Sequence, residues 1–305
     1  MSSSQTPSMM SLKVQIPFWT CTLIWGTTWI VILGQLGQVP PSWSVTYRFL
    51  VAGAVMFAYA AFTGASLRIG REGQVFAGVF GIAQFMFNFN FVYRAEAYVT
   101  SGLVAVIFAL LIVPNTLFAR AFLGIRPSPR FYVGAAIAMA GIGLLFLKEY
   151  RAASNGSNAV LLGIGLTMLG VLSASVANVM QATKRAASLP MASLLAWGML
   201  WGAIFDAIFA WATVGPPVIE PNFGYLGGVV YLGVAASAIA FMAYFSVIRM
   251  IGPGPAAYSS VIVPVIAMGI STVFEGYRWT LLAGAGGALA MAGLVIALTA
   301  RKPST

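Results

Sequence analysis

The sequence predicts an all-α integral membrane protein of ten transmembrane helices, built as two inverted five-helix repeats, and three observations lead there. Sixty per cent of the 305 residues are hydrophobic and 7% are charged, whereas soluble domains carry roughly a quarter charged residues. Ten apolar stretches, near residues 15–36, 43–62, 74–93, 98–119, 131–147, 159–182, 191–212, 224–248, 255–274 and 279–299, each approach the ~20 residues needed to cross a hydrocarbon core. The second half also superposes on the first at an offset of 152 residues. Gly81 falls on Gly233, Ala83 on Ala235, Phe89 on Phe241, Gly102 on Gly254, Gly124 on Gly276, Gly134 on Gly286, and Ala138-Met139-Ala140-Gly141 on Ala290-Met291-Ala292-Gly293. Five crossings per copy is an odd number, so the second copy enters the membrane from the opposite side. Many alternating-access transporters are built on this internal symmetry. The repeats divide the chain at 1–150 and 151–305, within one membrane domain.

Helices rather than barrel strands are expected, because the alternation of lumen-facing strands is absent and an isolated helix satisfies its own backbone in lipid. The first span follows a polar, Ser-rich start and is too long for the apolar core of a cleaved signal, so it is expected to be retained. It holds Cys21, the single cysteine, which leaves no disulfide framework. The second span carries Arg48; the third carries Gln84, Asn88 and Asn90; the fourth carries Pro114. The fifth ends in a polar, turn-rich connection, Lys148 to Asn158, the expected junction between the halves. The sixth contains Gly163-Ile-Gly165, Asn178 and Gln181, and the seventh Asp206. The eighth contains Gly227-Gly228 and Tyr244; the ninth follows Gly252-Pro253-Gly254-Pro255 and contains Pro264; the tenth contains Gly284-Ala-Gly286-Gly287. Small residues recurring within spans read as packing surfaces, since lipid supplies no hydrophobic drive between helices.

The net charge of +10 does not point to nucleic acid, because the basic residues stand singly at span ends instead of forming a basic groove. They are distributed unevenly. Lys13, Arg68, Arg71, Arg120, Arg126, Arg130, Lys184, Arg185, Arg249, Arg301 and Lys302 share one side, and Arg94, Lys148, Arg151 and Arg278 the other. Eleven against four places both termini in the cytoplasm under the positive-inside rule, in a multi-pass protein of the cell (inner) membrane.

Several stretches together resemble the EamA family of the drug/metabolite transporter superfamily: Trp25-Gly26-Thr27, Arg48-Phe49-Leu50-Val51-Ala52-Gly53, Ser101-Gly102-Leu103-Val104-Ala105-Val106-Ile107, and Ala257-Tyr258-Ser259-Ser260 followed by Pro264-Val265. The Gly-Glu-Arg that family members often carry after spans four and nine is altered, with Ile125 and Tyr277 at the central position between Gly124 and Arg126 and between Gly276 and Arg278. The resemblance implies a transporter, and the members it is most similar to export amino acids and metabolites, aromatic amino acids included.

Amides in mid-span are costly to leave unpaired, so they mark the interior. Gln84 and Asn88 share one helix face, as do Asn178 and Gln181, while Asn90 faces away from Asn88 and suits a helix-to-helix bond. Either the two pairs line a cavity or they are polar glue between helices, worth about 0.6–2 kcal/mol per bond. Polarity has diverged between the repeats, Gly26 falling on Asn178, Gln84 on Ala236 and Asn88 on Ala240, a pattern that either an asymmetric ligand or relaxed divergence of the copies produces. Trp25, Tyr98, Tyr244 and Tyr258 offer apolar rings with polar tips, either to an amphipathic solute or to the interfacial belt. Arg48 and Asp206 are charges within spans and so functional candidates, for coupling or for mutual pairing. Pro114 and Pro264, with the Gly-Pro-Gly-Pro run, are candidate hinges.

The expectation is a secondary transporter exporting small amphipathic metabolites, most of all amino acids with aromatic or apolar side chains, by alternating access around a central cavity. The alternatives are an exporter of another metabolite or drug, or a non-enzymatic membrane scaffold. Six acids, no histidine and one cysteine do not suit an enzyme. No cofactor, metal or nucleic acid is implied, the partners are a small-molecule substrate and the bilayer, and oligomerisation is not required.

Overall fold

The computed structural model describes residues 10–37, 39–152, 157–251, 256 and 258–299, and every regular element among them is helical. The expected Gly252-Pro253-Gly254-Pro255 hinge and residues 153–156 of the connection between the halves lie outside the described residues. Among the described residues nine helices are long and apolar enough to cross a membrane: α1 (Leu12–Leu33), α2 (Pro41–Phe62), α3 (Gly70–Ala95), α4 (Ser101–Leu123), α5 (Pro129–Lys148), α6 (Asn158–Gln181), α7 (Met191–Val214), α8 (Phe223–Ile248) and α10 (Leu281–Thr299). Between the last two lies a shorter apolar helix, α9 (Ser259–Phe274). Its 16 residues rise about 24 Å, less than the ~30 Å hydrocarbon core.

Local chemistry sets several helix ends. Pro41 opens α2, where its fixed φ suits the first turn and its missing N–H costs nothing. The Asn222 side chain accepts from the Tyr225 N–H at 2.8 Å and caps α8. Gly124 ends α4 in the left-handed region with φ +72°, and its repeat counterpart Gly276 follows α9 at φ +66°. A side chain at either position would be strained.

The duplication predicted from sequence reappears as local geometry. Helix α3 widens into a π-helical stretch at Ile82–Phe87, and α8 does so at Tyr231–Ile239, whose second part is the same stretch moved by 152 residues. Packing is reciprocal. α1 lies against α8 and α9, as its counterpart α6 lies against α3 and α4; α2 meets α8, as α7 meets α3. The remaining large contacts, α2 with α7, α4 with α9 and α5 with α10, each join a helix to its own counterpart.

The α5–α10 contact is the closest. A Cβ on Gly134 would come within 2.3 Å of the Ala297 nitrogen and 2.7 Å of the Gly293 oxygen; on Gly141 it would meet the Ala290 nitrogen at 2.3 Å and the Gly286 oxygen at 2.6 Å. Gly134 therefore faces Gly293, and Gly286 faces Gly141, the self-complementary pattern of a two-fold interface. Away from the core, large apolar side chains such as Phe62, Phe223 and Leu281 are more than nine-tenths exposed, as suits a surface solvated by lipid.

Candidate functional site

The helices enclose a cavity of about 140 Å³ between the two halves. Its walls are the rings of Trp25, Trp29, Phe89, Phe108, Phe241 and Tyr244, with Gln84, Asn88, Asn178, Thr28, Arg48, Ser259, Ser260 and Pro264 among them. Trp25 is held by its indole N–H, which donates to the Ala236 carbonyl at 3.1 Å, and by edge and tilted contacts with Phe241 and Tyr244. A second, wider chamber of about 460 Å³ shares Leu111, Asn178, Tyr244 and Ser260 with the first. It adds Asn115 and Gln181 and extends to Ile125, Ala186 and Ala187. These last three belong to the connections on the same side of the bundle as the N-terminus, so the space runs from the centre towards that side.

The other side is closed by polar contacts between helices. Asp206 on α7 accepts from Asn90 on α3 at 2.6 Å and from Thr46 on α2 at 3.1 Å. The Asn90 oxygen in turn accepts from Ser42 at 2.8 Å and from Arg94. Tyr93 donates to the Gln35 side chain at 2.9 Å, which ties α3 to the end of α1. Glu275 accepts from the Ser101 backbone N–H at 3.0 Å and from its hydroxyl, which ties the end of α9 to the start of α4.

The structure thus brings Trp25, Gln84, Asn88, Asn178 and Tyr244 around one cavity and places Gln181 in the adjoining chamber. Pro264 lines the cavity within α9, and Pro114 is buried in α4, three residues after a 3₁₀ turn at Ala109–Leu111. Two aromatic candidates fall elsewhere. Tyr98 lies beyond the end of α3 and is 43% exposed, and Tyr258 packs at the start of α9 against the cluster of Val14 and Phe18. Tyr98 stands past the end of its span, while Tyr258 sits next to the cavity-lining Ser259 and Ser260 but packs towards Val14 and Phe18. The pairing of Arg48 with Asp206, one of the roles open to these two charges, does not form. Although α2 and α7 touch, both Asp206 oxygens are taken by Asn90 and Thr46, and Arg48 points away into the cavity wall.

Arg48 is 1% exposed, its Nε donates to the Ser237 hydroxyl at 2.9 Å, and its guanidinium lies 4.2 Å from the centre of the Phe89 ring. Sequence reasoning also missed Arg94, in the last turn of α3, and Glu96, just beyond it, which look like ordinary loop charges. Glu96 is 3% exposed, with neither carboxyl oxygen hydrogen-bonded. The one available signal was that an acid stood beside Arg94 in a chain with only six acids. Among the described residues no group of three His, Cys, Asp or Glu side chains comes together to hold a metal ion.

Comparison with known proteins agrees with this architecture. The model of the EamA-like transporter family matches residues 16–147 and again 161–299. Protein PagO of Salmonella typhimurium is 24% identical over 269 residues, covering 88% of this chain and 87% of that protein. The inner membrane transporter YedA of Escherichia coli K12, described as uncharacterized, is 28% identical, covering 83% of this chain and 80% of its own length. A solved crystal structure at 21% identity shares the fold with a TM-score of 0.70, over 96% of this chain and 99% of the other. None of these names specifies an amino acid or any other substrate. With the family model matching each half in turn, the chain belongs to the EamA-like transporter family, as a multi-pass membrane protein of two repeats.

Proposed function

We propose that the protein exports small amphipathic metabolites across the cytoplasmic membrane, with aromatic and apolar amino acids as its main substrates, by alternating access around the cavity between its repeats. The observation that carries this reading is the pairing of aromatic walls with unpartnered amide oxygens. Gln84 Oε1 and Asn88 Oδ1 are buried without hydrogen-bond partners, and the Asn88 amide donates only to its own helix, to the Gln84 carbonyl at 3.3 Å. Polar glue would bond across helices and return about 0.6–2 kcal/mol. A buried acceptor left unpaired instead costs about 1–3 kcal/mol. A solute ammonium placed between these oxygens removes that cost, while the rings of Trp25, Phe241 and Tyr244 take an apolar side chain.

The asymmetry of the basic residues supports cytoplasmic termini, and with that orientation the wider chamber faces the cell interior in this conformation. Transport is read as facilitated, down the substrate's own gradient. Asp206 supports this, because its oxygens serve contacts that join α2, α3 and α7 away from the cavity. The test is counterflow and net flux of a labelled amino-acid panel in liposomes containing only this protein, with and without an imposed pH gradient. Exchange of aromatic amino acids without uphill accumulation is expected. Accumulation against the gradient, abolished in Asp206→Asn, would show that transport is proton-driven, and absence of any amino-acid flux would remove the substrate reading.

A further inference from the structure

The cavity contains a buried cation without a counter-ion. Arg48 Nη1 is buried and has no hydrogen-bond partner, and among the described residues no carboxylate makes an ion pair with the guanidinium. Its neighbours include the Ser237 hydroxyl on Nε, the Tyr93 hydroxyl, and the faces of Phe89 and Phe49, with ring centres at 4.2 and 5.3 Å. A charged group held this way in a bundle interior is costly unless something compensates it. Asp206 is engaged with Asn90 and Thr46. Glu96 is the acid whose field reaches Arg48, but its own burial favours the neutral carboxyl.

We propose that Arg48 is the anchor for a carboxylate on the transported solute, through its unpartnered Nη1 at the cavity wall. The inference rests on the exporter reading above and adds the charge of the substrate to it. In this structure the Phe89 ring, itself part of the cavity wall, covers the guanidinium. An arriving carboxylate replaces that ring contact with charge-assisted hydrogen bonds, roughly twice as strong as neutral ones. The planar guanidinium matches a carboxylate geometrically, which an ammonium does not. With Gln84 and Asn88 offering unpaired oxygens in the same cavity, the site has acceptors for a positive group and a donor for a negative one, the two ends of a zwitterion.

The experiment is equilibrium binding to purified wild-type protein, Arg48→Lys and Arg48→Gln, by calorimetry, with two matched pairs of probes: L-phenylalanine and L-phenylalaninamide, and 3-phenylpropanoate and 3-phenylpropanamide. Each acid is expected to bind wild type at least tenfold more tightly than its amide. That comparison needs no variant and survives any folding defect. In Arg48→Gln the preference should collapse to within twofold, and Arg48→Lys should retain part of it. Acids and amides binding wild type alike overturns the Arg48 assignment and leaves amino-acid export standing. Tight, Arg48-dependent binding of 3-phenylpropanoate with none of L-phenylalanine keeps the assignment and overturns the amino-acid reading. Failure of all four probes to bind overturns the assignment outright.

Discussion

The indole N–H of Trp25 on α1 donates to the backbone carbonyl of Ala236 on α8, 3.1 Å away, inside the π-helical stretch Tyr231–Ile239. The wider i→i+5 turn of such a stretch disturbs the regular ladder and leaves a carbonyl for an outside donor. The other half repeats the arrangement with different chemistry: the Ser173 hydroxyl on α6 donates to the Ala83 carbonyl at 2.8 Å, within the π-helical stretch Ile82–Phe87 of α3. The first helix of each repeat is thereby tied to the third helix of the other.

Trp25→Phe keeps an aromatic ring against Phe241 and Tyr244 but removes the donor, leaving the Ala236 carbonyl unpaired in the bundle. A loss of about 1–3 kcal/mol in stability is expected, together with a weaker counterflow signal. The midpoint of thermal unfolding in detergent checks the first part, and a midpoint equal to wild type would mean that this bond does not matter.

Gly141→Ala should destabilise the protein by about 1–3 kcal/mol, because the new methyl meets backbone atoms of α10 at 2.3 and 2.6 Å and no flexible side chain can yield. Gly143→Ala, where a Cβ meets nothing within 4 Å, is the control. Thermal midpoints of the two variants that coincide would contradict the tight α5–α10 seam.

Asn88→Ala and Asn178→Ala should each weaken transport severalfold while the extracted protein stays monodisperse. Neither amide makes a strong bond to a neighbouring helix, the Asn178 contact with Asn115 being 3.5 Å long. Loss of folding without a separate transport defect would assign them to helix packing.

Glu96 lies one residue beyond α3. Burial pushes its carboxyl well above the ordinary 4.5, the neighbouring Glu275 adds to that, and Arg48 opposes it. A carboxyl raised in the folded state takes up a proton on folding, so its contribution favours the native state below pH 4.5 and erodes as pH rises above that value. Glu96→Gln, neutral at every pH, should gain stability relative to wild type as pH rises above 4.5, with each 1 kcal/mol raising the thermal midpoint by about 2–4 °C. Parallel pH profiles for the two proteins would show that this carboxyl does not titrate in that range.

Cysteines introduced at Ile125 and at Trp279 in a Cys21→Ala background test orientation, since both positions are half or more exposed and lie on opposite sides of the bundle. An impermeant thiol reagent added to intact cells should label position 279 and spare 125. The reverse pattern would place the termini outside.

Much of the scaffold was legible in the sequence because small-residue landmarks record backbone geometry. The offset joining Gly124 to Gly276 marks two left-handed turns, and the offsets of Gly134 and Gly141 mark one reciprocal helix contact. The π-helical stretches left no such trace, since Ile82–Phe87 and Tyr231–Ile239 have little composition in common beyond small and apolar residues. The cavity was half legible. Amides at helical spacing showed that Gln84 and Asn88 share a face, but the tilt and rotation that turn Arg48 inward depend on packing between helices. A charge about a third of the way along a span is equally compatible with reaching out to water. Periodicity gives direction around an axis and not depth along it, which is why the position of Tyr98 beyond the end of α3 was not legible.

The glycine seam between α5 and α10 has a mechanical consequence. Where Gly134 and Gly141 meet Gly293 and Gly286, backbone touches backbone, so axial sliding of one helix past the other drives Cα atoms into carbonyl oxygens within a fraction of a residue step. The pair behaves like a keyed shaft, free to move as one piece and locked against slip. A rearrangement of the described helices that keeps this seam intact would carry α5 and α10 as one unit.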